Sequence, residues 1–341
     1  MTTHVPISTP FTASSTADEV LEGVDLTGVR AIVTGSSSGI GIETARALTA
    51  AGAEVTLAVR NTTAGNAAAE TIVKSTGAIP PRVVQLDLAD MSTVTRFVEA
   101  WDGPLHLLIN NAGLVTGGLE RTPGGWELQF ATNHLGHFAL AAGLHYALAR
   151  GASERDGARI VSVSSTAHMR SGVDFDDLHF ERRSYDPQIA YAQSKTANSL
   201  FAVEATRRWA SDGIIANAVN PGGVATGLQR NFTTQQKESL DAAEAAGVFT
   251  YKTIEQGAAT SIVAAVAPEF AHSGGHYLDD AREAYTVPND ADLAQHPHGV
   301  KVWALDPAAA KRLWTVSTDL LRPCTRATVD LTRTRPHDLV R

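Results

Sequence analysis

From about Val29 the chain alternates short β-branched runs with longer alanine-rich segments, and this alternation restricts the fold more than any other feature. Short runs of this kind between turn-forming residues read as strands, and the segments between them, with apolar residues near every 3.6 positions, read as helices. Strand candidates are 30–34, 54–59, 82–86, 105–109, 159–163, 214–219 and 275–278. Helix candidates are 40–51, 64–76, 91–101, 126–150, 189–210 and 253–266. Strands joined through helices run parallel, and right-handed crossovers place helices on both faces of a single sheet. The expected class is therefore α/β.

Nothing divides this pattern cleanly. The links are short, so 341 residues, 43% of them hydrophobic, are expected to form an N-terminal extension over 1–24 and one domain over 25–341. The domain carries a polar insert at 169–188, a segment of helical composition at about 226–252 and a C-terminal extension at about 281–341. Loops at the carboxyl ends of parallel strands line the ligand crevice, so 226–252 reads equally as a substrate lid or as a packed surface helix. A formal charge of −8 without a basic run argues against nucleic acid or an anionic membrane as partner. The single Cys324 excludes an intrachain disulfide, and no basic stretch followed by an apolar run opens the chain. The apolar stretch 138–149 is too short to span a bilayer. A soluble, cytoplasmic protein without a membrane span is expected.

Where the first strand gives way to a helix, the chain reads Thr34-Gly35-Ser36-Ser37-Ser38-Gly39-Ile40-Gly41. A glycine-rich turn at a helix N-terminus lets free amides approach a pyrophosphate, and the positive helix end stabilises its charge. Gly35, Ser37, Ser38, Gly39, Ile40 and Gly41 are thus candidate phosphate contacts. After the second strand, where an acid would serve the adenosine ribose hydroxyls, the chain has Arg60 and Asn61. Arginine offers a planar fork to a 2′-phosphate, which predicts NADP(H) over NAD(H). Asp87 and Leu88 follow the third strand, and Asn111, Ala112 and Gly113 the fourth, at the same sheet edge. Asp87 reads equally as an adenine contact and as a cap for the helix beginning near Asp90.

Tyr191 and Lys195, four apart, share one helix face. The ammonium favours phenolate and is expected to lower the tyrosine pKa, making a candidate acid/base. A strand-end pair, Ser164 and Ser165, precedes it by 26 residues.

The ordered set Thr34-Gly35-x-x-x-Gly39-x-Gly41, Asn110-Asn111-Ala112-Gly113, Asn133, Ser165, Tyr191-x-x-x-Lys195 and Pro221-Gly222 resembles the short-chain dehydrogenase/reductase family over about 25–280. The phrases Asn133-His134-Leu135-Gly136-His137-Phe138 and Ser164-Ser165-Thr166-Ala167-His168 resemble the branch with retinol dehydrogenases, WW-domain oxidoreductases and protochlorophyllide reductases. The resemblance implies a Rossmann-like, doubly wound domain with a seven-stranded parallel sheet in the order 3-2-1-4-5-6-7. It implies that Tyr191 exchanges a proton with a substrate oxygen, Lys195 holds the nicotinamide ribose, Ser165 donates to the developing oxyanion, and Asn133 positions a water leading from Lys195. It further implies that Pro221, Gly222, Val224 and Thr226 embrace the nicotinamide, although Asn220 stands where the branch often has histidine. A homodimer through helices 126–150 and 189–210 is one arrangement the family implies, and coverage of that surface by the insert and the C-terminal extension is the other.

The leading functional expectation is NADP(H)-dependent interconversion of a carbonyl and an alcohol on a fairly apolar small molecule. Reduction of an activated carbon–carbon double bond and non-catalytic cofactor sensing are the alternatives. His134 and His137, three apart, lack an acidic or cysteine partner at metal-like spacing, so no metal is expected. Trp303, Trp314 and the amphipathic stretch 306–320 read as C-terminal packing.

Overall fold

A computed structural model describes residues 4–227, 238, 241–242, 244–245 and 250–322, and in it the alternating pattern becomes one twisted sheet. The strands β1 (Arg30–Thr34), β2 (Glu54–Val59), β3 (Arg82–Gln85), β4 (Leu107–Asn110), β5 (Ala158–Val163), β6 (Ile214–Asn220) and β7 (Tyr277–Asp279) are parallel, in the expected order 3-2-1-4-5-6-7. An eighth strand, β8 (Arg282–Glu283), pairs antiparallel with β7. It escapes sequence reading because Asp280 and Ala281 turn the chain at φ 49° and 62°, without the Asn-Gly or Gly-x pair that announces such a hairpin. A small parallel pair, β9 (Thr286–Val287) with β10 (Val300–Lys301), lies in the C-terminal extension.

Helices α1 (Ala17–Leu21), α2 (Gly39–Ala50), α3 (Thr62–Thr76) and, later, α8 (Ile254–Val266) pack one face. Helices α4 (Met91–Glu99), α5 (Gly136–Gly143), α6 (His145–Glu154) and α7 (Pro187–Trp209) pack the other. A last helix, α9 (Pro307–Leu321), lies against α7 and anchors there through Trp314, whose ring is 4.8 Å from Phe138 and 5.1 Å from Trp209. The C-terminal aromatics therefore pack as expected. Among the described residues no helix is long and apolar enough to cross a membrane. Most of the expected lid at 226–252, the C-terminal extension beyond 322 and Cys324 lie outside the described residues.

The single helix expected over 126–150 is broken. Glu127 is buried, and its carboxylate accepts from the amides of Gln129 and Phe130, which starts a short helical turn. A π-helical turn, Ala131–Leu135, follows before α5 begins. Such wider turns are frequent at functional sites, and here the turn carries Asn133.

The N-terminal extension fastens onto the open edge of β8. The Ile7 amide donates to Glu283 Oε2 at 2.8 Å, the Glu283 amide donates to the Ile7 carbonyl at 2.9 Å, and Thr9 Oγ1 donates to the Ala281 carbonyl at 2.7 Å. Covering the edge removes a template for unwanted strand pairing. Burial alone would raise the Glu283 pKa, but hydrogen bonds from His276, the Ile7 amide and His4 outweigh it and hold the carboxyl at about 2. A depressed folded pKa means that this carboxylate contributes stability above its unfolded value and loses it as pH falls toward 2. Glu283→Gln is expected to lower Tm at pH 7. That difference from the unsubstituted protein should shrink between about pH 4.5 and pH 2; thermal melts across this range check it.

Candidate active site

The carboxyl edge of the sheet gathers nearly every residue singled out in the sequence. At the β1–α2 turn Gly35 has φ 65°, and a Cβ there would lie 2.8 Å from Ala112 Cα, so only glycine fits. A Cβ on Gly41 would sit 2.4 Å from Asn111 Nδ2 and 2.6 Å from the Gly35 carbonyl oxygen. The third glycine thus serves the packing of the turn on the next loop. Asn111 Nδ2 donates to the Thr34 carbonyl at 2.8 Å, while Thr34 Oγ1 accepts from the amides of Asn111 and Ala112 at 2.9 Å each. These bonds pin the tips of β1 and β4 together. Ser38 occupies the N-cap of α2 without a side-chain capping bond, so the first amides there have no capping side chain. Anions are stabilised at such helix starts. Across the turn, Thr226 stands 3.5 Å from the position of a Cβ on Gly39.

Arg60 is exposed at the end of β2, while Asn61 caps α3 by accepting from the Ala64 amide at 3.1 Å. The cap of α4 is Asp90, which accepts from the Ser92 amide at 2.9 Å; Asp87 instead accepts from the Ala89 amide at 3.0 Å. Leu88 is buried, and its carbonyl oxygen would be 2.3 Å from a Cβ on Gly136. Gly113 brings two of the predicted site residues together: a Cβ there would be 3.4 Å from Lys195 Nζ and 3.5 Å from Asn133 Oδ1. Pro221 and Val224 are buried, and Gly222 turns at φ 84° above Lys252, which forms a 2.6 Å ion pair with Asp280.

Asp186 caps α7 through the Gln188 amide at 2.8 Å, with Pro187 in the first turn, where a missing N–H is harmless. One turn on comes Tyr191, partly exposed, with Lys195 Nζ 5.5 Å from its ring centre. Lys195 is buried, and its ammonium donates to the Val163 carbonyl at 2.9 Å. Burial lowers its pKa to about 8. Burial also pushes the Tyr191 phenol up to about 12, against a smaller downward pull from a hydrogen bond with Ser165. This corrects the expectation that Lys195 lowers the phenol. The ammonium points at a backbone carbonyl, and loss of water from the phenolate dominates. Tyr191 therefore keeps its proton at neutral pH.

Ser164 and Ser165 separate by environment. Ser164 is buried; its Oγ donates to the Lys195 carbonyl at 2.8 Å and accepts from Ser199 Oγ at 3.1 Å. Ser165 is partly exposed, and its Oγ accepts from the Ala167 amide at 3.2 Å. Asn133 clamps the loop after β4: Oδ1 accepts from the Leu114 amide at 2.9 Å and Nδ2 donates to the Leu114 carbonyl at 3.1 Å and to Ser194 Oγ at 3.0 Å.

His134 Nε2 bonds Ser317 of α9 at 2.8 Å, whereas His137 bonds Thr34 at 2.8 Å and the Asn133 carbonyl at 2.9 Å. The two imidazoles serve different partners, and burial lowers their pKa to about 3 and about 4. Two residues within the sequence motifs contribute to the site although no role was assigned to them from sequence. Asn220 accepts from the Thr166 amide at 3.2 Å and donates to Thr166 Oγ1 at 2.8 Å and to Asp279 at 3.1 Å, joining the loops after β5, β6 and β7. Ser194, between Tyr191 and Lys195, supports Asn133.

The sequence model of short chain dehydrogenases matches residues 30–237. A Streptomyces antibioticus protein named "Probable oxidoreductase" is 48% identical over 304 residues, covering 88% of this chain and 99% of the relative. The crystal structure of an uncharacterized protein from Mycobacterium paratuberculosis is similar at a TM-score of 0.67 and 31% identity, covering 92% of this chain and 97% of the other. The Pseudomonas aeruginosa RhlG/NADP active-site complex aligns at a TM-score of 0.60 and 27% identity, covering 75% of this chain and 95% of the other.

Proposed function

The chain belongs to the short-chain dehydrogenase family, and from that we propose that it is an NADP(H)-dependent oxidoreductase interconverting a carbonyl and an alcohol on a fairly apolar small molecule. The observation that carries this reading is the convergence of Tyr191, Lys195, Asn133 and Gly113 at one sheet edge, with Ser165 near enough to the phenol to pull its pKa down. A phenol held protonated, next to a hydroxyl that can donate to the same oxygen, is suited to protonating a carbonyl oxygen as it gains charge.

The cofactor fits the cradle on structural grounds: a glycine turn that admits no Cβ, a helix start with no capping side chain, and a Gly113 that keeps the space before Lys195 free. When bound, the nicotinamide supplies or accepts the hydride. Gly35, Ser37, Ser38, Gly39, Ile40 and Gly41 would hold its phosphates, with Arg60 and Asn61 at the adenosine ribose. Asp87 and Leu88 would flank the adenine, and Asn111, Ala112 and Gly113 would line its path. Pro221, Gly222, Val224 and Thr226 would close over the nicotinamide. Tyr191 would give its proton to the substrate oxygen, and Ser165 would donate to that oxygen. Lys195 would hold the ribose, with Asn133 beside it to relay the replacement proton through water. The RhlG complex, an NADP complex on a similar fold, supports the cofactor assignment.

A panel of ketones, aldehydes and alcohols with NADPH or NADP⁺, read by absorbance of the reduced cofactor, tests the proposal. Turnover of carbonyls with NADPH is expected. Cofactor binding with no turnover across the panel would overturn it.

A further inference from the structure

His168 lies three residues beyond Ser165, is buried, and uses every polar atom beyond its own amide to tie separate parts of the chain together. Its Nδ1 bonds the Ser165 carbonyl at 2.8 Å, and its Nε2 meets the Lys301 amide at 3.3 Å. A carbonyl can only accept and an amide N–H can only donate, so the ring is the neutral tautomer with its proton on Nδ1. Burial agrees, lowering its pKa to about 4. The His168 carbonyl accepts from Trp303 Nε1 at 3.1 Å and lies 3.4 Å from Thr196 Oγ1, whose single proton goes chiefly to the Ser171 carbonyl at 2.6 Å. The imidazole packs on Tyr277 of β7, ring centres 4.7 Å apart.

Thr196 follows Lys195 on α7, so one residue joins the serine loop, the helix of Tyr191 and the C-terminal extension. Lys301 and Trp303 lie outside the segment that the family model matches, which ends at residue 237. We propose that His168 is a positioning residue: through it, Lys301 and Trp303 of the C-terminal extension hold the Ser165 backbone in register with Tyr191 on α7. The inference rests on the oxidoreductase reading, in which Ser165 and Tyr191 address one substrate oxygen. Displacement of a donor by a fraction of an ångström costs turnover while cofactor contacts elsewhere stay intact.

Three changes test it. His168→Ala removes both ring bonds. His168→Asn keeps a short amide that can donate to the Ser165 carbonyl. Lys301→Ala removes the side chain with its ammonium 4.6 Å from the Trp303 ring, and Lys301→Pro, at a residue whose φ of −72° suits proline, additionally deletes the donated N–H, so the difference between them reports that bond. With the full chain, NADPH and the best carbonyl from the panel, His168→Ala is expected to lower kcat by about tenfold or more, with the NADPH Kd within about twofold. His168→Asn should recover most of that loss, and Lys301→Pro should fall below Lys301→Ala. Hydrogen exchange gives a readout that needs no turnover: amides 166–168 should exchange faster in His168→Ala and in Lys301→Pro, while those of 191–199 stay protected. Unchanged exchange at 166–168 in folded His168→Ala would overturn the proposal whether or not the protein turns over. So would a fall in kcat matched by an equal loss of NADPH affinity and not rescued by Asn. A wild-type protein inactive on every carbonyl would instead count against the oxidoreductase reading, leaving the exchange result to decide on His168.

Discussion

Tyr191→Phe is expected to reduce kcat for carbonyl reduction by about a thousandfold while leaving the NADPH Kd within about twofold of the parent value. The size follows from what the hydroxyl does. Positioned proton transfer contributes about 10² to 10⁴ in rate, and in this crevice Tyr191 is the group that carries a transferable proton beside Ser165. The ring would remain, so packing and the 5.5 Å approach of Lys195 are preserved. Because burial holds the phenol near 12, it is fully protonated at neutral pH, and reduction should not decline through loss of its own proton below that range. Lys195, lowered to about 8, loses its charge sooner. The parent enzyme's reduction rate is therefore expected to fall as pH rises through about 8, and Lys195→Arg, with a cation that does not titrate there, should remove that limb. Stopped-flow single turnovers read the chemical step, and fluorescence titration reads the Kd. Near-parental turnover by Tyr191→Phe would end its assignment as proton donor.

The second large effect concerns the cofactor. Arg60→Asp is expected to lower kcat/KM with NADPH by about a hundredfold and to raise the NADH-to-NADPH ratio further. A charge-assisted, forked contact to a phosphate contributes roughly 1.5 to 3 kcal/mol, and an acid at the same place adds repulsion toward the 2′-phosphate while offering acceptors to ribose hydroxyls. Arg60 is exposed at the tip of β2, so the exchange disturbs no core packing. The measurement is kcat/KM for both cofactors in both proteins. An unchanged ratio would assign Arg60 to the solvent surface alone.

Much of this arrangement was legible in the chain because it depends on local chemistry. Strand and helix periods placed β1 and β2 to the residue, and the glycine turn, Asn111, Tyr191 and Lys195 all occur where a strand or helix of the expected length puts them. Features that depend on long-range packing were not. The π-helical turn at Asn133 has the composition of an ordinary helix, and the bond it makes to the Leu114 loop, 19 residues away in sequence, is not readable from local periodicity. The direction of the Tyr191 shift follows from burial, which spacing cannot report. The roles of Asn220 and His168 rest on partners 54 and 133 residues away. Nor does the composition of residues 281–284 announce β8, whose hairpin relies on two non-glycine residues held in a strained turn.

The position of α9 has a consequence for how copies of the chain can meet. Trp314 inserts among Phe138, Phe201 and Trp209, with the Arg208 guanidinium 4.8 Å above its ring, so the flank of α7 is already occupied from within. The surface of α7 that α9 covers is closed to a second copy while α9 stays docked. A chain cut short before Pro307 would bare the rings of Phe138, Phe201 and Trp209 that Trp314 now covers, and is expected to self-associate more than the full chain in size-exclusion chromatography.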